Sequence, residues 1–480
     1  MNTSTIPDSE VARESVRSRY GMIVKGDDGF AFARNGGRRR MARMKCILLF
    51  VLCGSVSVNA AATGGPREGN VILIHPDGSS LAAWNAFRIA SVGPDGFTNW
   101  DRLPGVALYR SHFSDGLSPT SHGGATVHAW GVKVPADSYG TDGGKPLVAR
   151  SGKALPILAE ALADGRAAGY VQSGHLAEPG TGVFLASHPT RRDFPGIAAK
   201  IVTSGADVML AGGEIYLLPK GVRGRHGEDG VREDGRDLIV EARAAGYAVV
   251  FSKEELRAAM NDRAVKKLLG VFAARATYNE GSEEKLVAEK LPAYRPEAPT
   301  AAEMTEAALA VLSRTGRRFA LVIEEEGTDD FANAQNASAL FEAFRRADQA
   351  IGVARAFLER SPETLLFTAA DSDASGLQVI GRGVQASADE VPPPVPAQTK
   401  LGNPIDGVAG QGTAAFLSGP DRTGRRFWFG VTFSSPYDMV GGVVVRADGL
   451  NRERLPVNFD NTDVYTMMWE TLFGRELPAR

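Results

Sequence analysis

The chain has 480 residues, a formal net charge of −2, 43% hydrophobic residues and 23% charged residues. This is the composition of a folded globular protein with room for one large α/β domain or two smaller ones, and it excludes a disordered chain. The near-balanced charge gives no electrostatic case for a nucleic-acid partner.

Residues 1–40 are polar, lack helical or strand periodicity and end in Arg38-Arg39-Arg40. They read as an unstructured extension upstream of a true start at Met41 or Met44. Residues 41–60 read as a secretory signal peptide: a basic stretch through Lys45, an apolar run from Cys46 to Cys53, and Val58-Asn59-Ala60 as a small-x-small cleavage pattern. The apolar run is too short to span a bilayer. These features predict a periplasmic or secreted protein with no membrane attachment after cleavage. Both cysteines lie inside the signal, so residues 61–480 would form neither disulfides nor thiolate ligands. Any metal must then be held by carboxylate, imidazole or neutral oxygen.

In chain order, Val71-Ile72-Leu73-Ile74-His75 is a short apolar run that predicts a buried strand ending at Asp77. A second strand is expected over 105–109. Ser118 to Thr126, a Pro and a Thr before Ser121 and then small residues, reads as a loop turning into a helix with Ser121 in its first turn. Helical spacing follows over 155–162, then strands at 168–171 and 207–211, the second running into Gly212-Gly213. Residues 219–236, rich in Gly and both charges, predict a solvated loop. A helix at 238–245 and a strand at 247–251 precede a helix at 301–312. The Phe319–Ile323 strand empties into Glu324-Glu325-Glu326, a long amphipathic helix spans 336–358, and the Thr364–Thr368 strand empties into Asp371. Glu390 to Pro396 is expected to be a surface proline-rich loop, within a stretch near 384–400. Strands alternating with helices predict an α/β fold with a largely parallel sheet.

Three buried strands thus end in acids: Asp77, the Glu324 to Asp330 group, and Asp371. In an open α/β sheet the ligand site lies beyond the carboxyl edge of the strands. Acids meeting there repel unless a cation joins them, most simply a divalent metal. A serine at a helix start supplies a nucleophile or a phosphate contact, although Ser or Thr at such a place also serves as an ordinary cap. Together these point to a metal-assisted hydrolase.

The order of motifs resembles the alkaline phosphatase family over nearly the whole of residues 61–480. Ile74-His75-Pro76-Asp77-Gly78 is similar to the family's strand-end I-G-D-G, and Pro119 to Thr126 followed by Gly131-Val132-Lys133 to P-D-S-A-G-T-A-T followed by G-V-K. Asp207 to Gly213 is similar to D-V-I-L-G-G-G, Met304 to Leu309 to M-T-E-A-A-L, and Thr364 to Leu377 to the T-A-D-H-E-T-G-G-L region. The resemblance implies a three-layer α/β/α sandwich and a secreted or periplasmic phosphomonoesterase acting through a phosphoseryl intermediate. It places Ser121 on the nucleophile, Asp77 on the carboxylate bridging the metals, Glu324 on a magnesium ligand, Asp329 on a ligand of the first zinc and Asp371 on one of the second. Arg192 falls on the phosphate-clamping arginine, with Arg191 one slip away. Members of that family often pair as homodimers.

The imidazole zinc ligands of the family pattern are absent: Asn333, Ser372 and Val408 stand in their places. Thr120 replaces the Asp before the nucleophile, and Glu178 replaces a Thr or Ser at the magnesium position. The remaining metal-site candidates are Asp77, Glu178, Glu324, Asp329, Asn333 and Asp371, a set that favours Mg²⁺ or Ca²⁺ and leaves Zn²⁺ open. His175 is within reach of replacing a lost ligand, His122 of touching substrate, and His128 is expected to pack. The alternatives are a protein that keeps the fold without turnover, and the sister chemistries of sulfate ester or phosphodiester hydrolysis on the same fold.

Overall fold

The computed structural model describes residues 64–478. The extension and the signal peptide expected at residues 1–60 lie outside the described residues.

Ten strands make one mixed sheet: β1 (Asn70–Pro76), β2 (Gly105–Arg110), β3 (Ala167–His175), β4 (Val208–Gly212), β5 (Ala248–Val250), β6 (Leu268–Val271), β7 (Phe319–Glu325), β8 (Thr364–Thr368), β9 (Val444–Gly449) and β10 (Asn458–Asp460). Their order is β10-β2-β9-β8-β1-β7-β3-β4-β6-β5. Only β9 runs against its neighbours, β2 and β8. The centre is parallel, and β1 lies between β7 and β8. A strand covered on both faces is apolar along most of its length, and β1, β7 and β8 are buried throughout, with their polar residues at the ends.

Alternate residues of those strands enter two separate cores. Val71, Leu73, Val322 and Phe367 face one side; Ile72, Ile74, Ile323 and Leu366 face the other. The first side is covered by helices that include α2 (Ser121–Trp130) and α6 (Asp463–Phe473). The second is covered by α1 (Leu81–Ser91), α3 (Ala301–Ser313) and α5 (Ala337–Leu358). Thr300 and Glu303 close a capping box that fixes where α3 begins. Between β7 and α5, the short helix α4 (Gly327–Asn333) turns the chain over the carboxyl edge of the sheet. The result is the α/β/α sandwich that the resemblance implies, built on the largely parallel sheet that the alternation of elements predicts.

A small antiparallel sheet at residues 378–432 is attached to this sandwich. Its own cluster comprises Val395, Ile405, Ala415 and Trp428, and Phe416 and Phe429 pack on Phe341 of α5. The proline-rich stretch is therefore only half a surface loop: Val391 is 82% exposed, whereas Val395 is buried at 3%. Likewise, the 219–236 loop is pinned by Arg232, buried at 2% and donating to the carbonyls of Pro195 and Tyr216. No helix among the described residues is long and apolar enough to cross a membrane.

Candidate active site

Strand register assembles the first part of the site. β1 pairs with β7 so that His75 lies beside Glu324, and β3 pairs with β7 so that Gln172 lies beside Glu324 on its other flank. Paired residues of a parallel sheet share a face, so three polar side chains stand in one row on the α2 side. His75 Nδ1 is 3.1 Å from Glu324 Oε1, and Gln172 Nε2 donates to Glu324 Oε2. His75 Nε2 lies 3.7 Å from Asp77 Oδ1, just past the end of β1. Ligand atoms of His75, Asp77 and Glu324 all fall within 4.8 Å of one another. Burial pushes Glu324 up to about 7 against the pull of His75. Burial opposes charge on His75, but Asp77 and Glu324 hold its imidazole above the ordinary value.

The second part is brought in by the helices. Ser121 is the first residue of α2, and Thr120 takes the capping role: its hydroxyl accepts from Gly123 N at 3.4 Å and donates to Ala136 O at 2.6 Å. One turn into α2, Gly124 abuts Asp371, where an added Cβ would stand 2.6 Å from Asp371 Oδ2. Only a glycine lets the serine-led helix sit so close to that carboxylate. Burial and the neighbouring Asp77 carboxylate push Asp371 well above the usual carboxylate range.

The third part lies on α4. Asp329 and Asn333 are four apart and so share a helix face. Asn333 Nδ2 donates to Asp329 Oδ2 at 2.9 Å and to Asp438 Oδ1 at 3.1 Å. Burial, then Asp438, raise Asp329 well above its ordinary range. Gly78, at φ +62°, follows Asp77 and packs on Asp329, which joins this group to the first.

The predicted residues fall as follows. Asp77, Glu324, Asp329 and Asp371 meet at one edge, where Gly124 of the helix that Ser121 begins abuts Asp371. Asn333 is there too, as the amide clamp between two carboxylates. Glu178 precedes the short Pro179–Gly182 helix, whose Gly180 seats on Glu324; its carboxylate is held by His175 Nε2 at 2.9 Å. His128 packs, fully buried, with its Nε2 2.6 Å from the Tyr109 hydroxyl. Arg192 is exposed. Arg191 is the arginine that reaches the first turn of α2, its Nη1 2.9 Å from Nδ1 of His122. Val408 is also elsewhere, 50% exposed on a turn of the small sheet. Asp438, in a two-residue strand paired with 373–374, is linked to Asp329 through the Asn333 amide.

Two site residues were not singled out from sequence. His75 was legible as the second alternate position after Val71 and Leu73, hence on their face. Asp438 is a single acid before Gly441-Gly442 and a strand, a signal shared with many loops.

These donors fit divalent cations. Asp77 Oδ2, Asp329 Oδ1, both oxygens of Asp371, the Ser372 hydroxyl and His75 Nε2 are buried with no hydrogen-bond partner among the described residues. Buried acceptors of this kind are costly unless a hydrogen-bond donor or a cation meets them.

The sheet and what stands at its carboxyl edge define the class: an α/β/α protein with a buried carboxylate site that fits divalent cations. Within that class, the chain belongs to the alkaline phosphatase family, whose sequence model matches residues 68–390. It is 27% identical over 445 residues to the streptomycin-6-phosphate phosphatase of Streptomyces griseus, covering 79% of this chain and 96% of that protein. It is 26% identical over 340 residues to an alkaline phosphatase of Escherichia fergusonii, covering 63% and 69% of the two chains. The fold is similar to that of the Thermus thermophilus alkaline phosphatase, with a TM-score of 0.65 at 19% identity over 90% of this chain and 98% of that one. It is also similar to the enzyme of the Antarctic bacterium TAB5, with a TM-score of 0.63 at 19% identity over 85% and 99%.

Proposed function

We propose that the chain is a periplasmic or secreted, metal-dependent phosphomonoesterase in which Ser121 takes the phosphoryl group. The observation that carries this reading is the contact of Gly124 with Asp371: it ties the serine-led turn of α2 to a carboxylate with two orphaned oxygens. Asp77, Asp371 and Ser372 would hold one cation, Asp329 and Asp438 with Asn333 a second, and Glu324 with Asp77 and His75 a third. Bound there, divalent cations lower the pKa of a hydroxyl or water and take up leaving-group charge. Oxygen donors predominate, which favours Mg²⁺ or Ca²⁺; a solved variant of the TAB5 enzyme carries bound magnesium.

The chain's own groups do the rest. Ser121 Oγ attacks phosphorus as the bond to the leaving oxygen breaks, and water then cleaves the phosphoserine to phosphate and free serine. The unpaired N–H groups of the first turn of α2 and the Arg191 guanidinium bind the remaining phosphate oxygens. The match to a small-molecule phosphate phosphatase along 96% of its length supports small phosphorylated alcohols as substrates.

The test is hydrolysis of a chromogenic phosphate monoester by protein starting at Ala61, stripped of metal and reloaded in turn with Mg²⁺, Ca²⁺, Mn²⁺ and Zn²⁺. Turnover restored by Mg²⁺ or Ca²⁺ and abolished in Ser121→Ala is expected. Full activity in folded Ser121→Ala would remove the nucleophile from the mechanism, and strict dependence on Zn²⁺ would refute the metal preference.

A further inference from the structure

His122, the residue after the nucleophile, is fixed to Arg191. Nη1 of Arg191 is 2.9 Å from His122 Nδ1 and 3.1 Å from Asp137 Oδ1. An arginine can only donate, so Nδ1 accepts and the ring proton sits on Nε2. Burial and the Arg191 charge lower His122 to about 4, which keeps the imidazole neutral at working pH.

The two acceptors are not equivalent. The Asp137 side chain is 79% exposed, where an ion pair is screened and contributes little. His122 is carried on the first turn of α2, next to Ser121, and its ring lies 6.4 Å from that of buried Tyr139. Thr120, on the other side of Ser121, cannot serve instead, because its hydroxyl is committed to Ala136 O and Gly123 N. Both contacts of Arg191 fall on Nη1. The opposite edge of the guanidinium, Nε and Nη2, has no acceptor among the described residues and is the edge that fits two phosphate oxygens.

We propose that His122 is the positioning residue for Arg191, a neutral acceptor that locks the phosphate-binding guanidinium to the nucleophile's helix without neutralising its charge. A carboxylate in that place would orient the arginine equally well but would compete with the phosphate dianion for it. The proposal rests on reading Arg191 as the phosphate clamp, and the experiment separates the two.

Inorganic phosphate is titrated calorimetrically into metal-loaded wild type, Arg191→Ala, His122→Phe, His122→Asn and the His122→Phe/Arg191→Ala pair, with kcat, KM and melting temperature measured alongside. Losing one hydrogen bond to a charged group predicts that His122→Phe weakens phosphate binding and raises KM about 10-fold, with kcat within about 3-fold. His122→Asn, whose Oδ1 can replace Nδ1 as acceptor, should recover most of that loss. The double variant should bind phosphate no more weakly than Arg191→Ala, since a positioning residue has nothing left to position. If Arg191→Ala leaves phosphate affinity unchanged, the clamp reading falls and takes the proposal with it. If Arg191→Ala weakens binding but His122→Phe does not, or the two losses add, the proposal alone is overturned. Should His122→Phe melt early, His122→Ala carries the same comparison.

Discussion

Gly124→Ala tests whether helix α2 and Asp371 form one catalytic unit. The new methyl would lie 2.6 Å from Asp371 Oδ2 and 2.9 Å from its Cγ, whereas carbon contacts relax at about 3.5–4.0 Å. Either the carboxylate or the helix must retreat by roughly 1 Å, a displacement that can cost about 100-fold in rate when it separates reacting groups. Stability should change far less. Alanine in a helix interior gains about 1 kcal/mol over glycine, and overpacking costs about 1–3 kcal/mol, so the net loss is about 0–2 kcal/mol. Gly123→Ala is the matched control: its Cβ would meet Ala136 O at 2.7 Å and Phe113 Cζ at 3.0 Å, away from the carboxylates. Chromogenic phosphatase assays on metal-loaded protein, with thermal melts of each variant, separate the two effects. Gly124→Ala should lose about 100-fold in kcat/KM while melting close to Gly123→Ala, which should stay within about 10-fold of wild type. Equal activity in the two variants would refute the argument that Asp371 and the Ser121 turn act together.

Asp438→Ala should raise the concentration of Mg²⁺ or Ca²⁺ needed for half-maximal activity by at least about 10-fold, whereas Val408→Ala, at an exposed turn, should leave it unchanged; metal titrations of the two variants give the comparison. Glu283 supplies a pH dependence outside the active site. Burial, then repulsion from Asp406, raises its carboxyl to about 8, so the folded chain holds a proton that the unfolded chain has already released. The stability due to that proton is fully present below the ordinary glutamate pKa and is lost as pH rises through about 8. Glu283→Gln keeps the acceptor for Ser338 N, which now lies 3.1 Å from Glu283 Oε1. It should melt near wild type at pH 5 and roughly 2–4 °C higher at pH 9; the reverse order would show that the charged form is the favoured one.

How far the sequence reaches depends on whether a residue's role is set locally. Strands such as β1 and β7 are apolar at successive positions because both faces are covered, and their bounds were legible within a few residues. Ser121 at a helix start and the acids at strand ends follow from the same local logic. β9 and β10 were not foreseen: β9 opposes the parallel pattern, and its six residues are only partly buried. The small sheet was missed because strands of two or three residues carry too little periodicity to read. Arg191 and Arg192 are indistinguishable by pattern; the turn at residues 190–193 alone decides which guanidinium reaches His122. Asp438 could not be weighed without knowing that β8 and β9 are neighbours, a pairing that joins residues far apart in the chain.

The hydrogen-bond inventory divides the acidic edge into two unlike halves. At Glu324, both oxygens already have partners, His75 on one and Gln172 on the other. In the other half, Asn333 reaches one oxygen of Asp329, but its second oxygen and both oxygens of Asp371 have no hydrogen-bond partner among the described residues. The leading influences on Asp371 and Asp329 are burial and other carboxylates. Two like charges about 4 Å apart repel by about 4 kcal/mol at the effective dielectric of a protein surface, and more in its interior. The need for cations is therefore steepest around Asp77, Asp371 and Asp329, on the side where Gly124 brings in the Ser121 turn. Glu324 can be held by the protein alone, so its cation would act on orientation. Those at Asp371 and Asp329 would carry the charge that develops on the attacking and leaving oxygens.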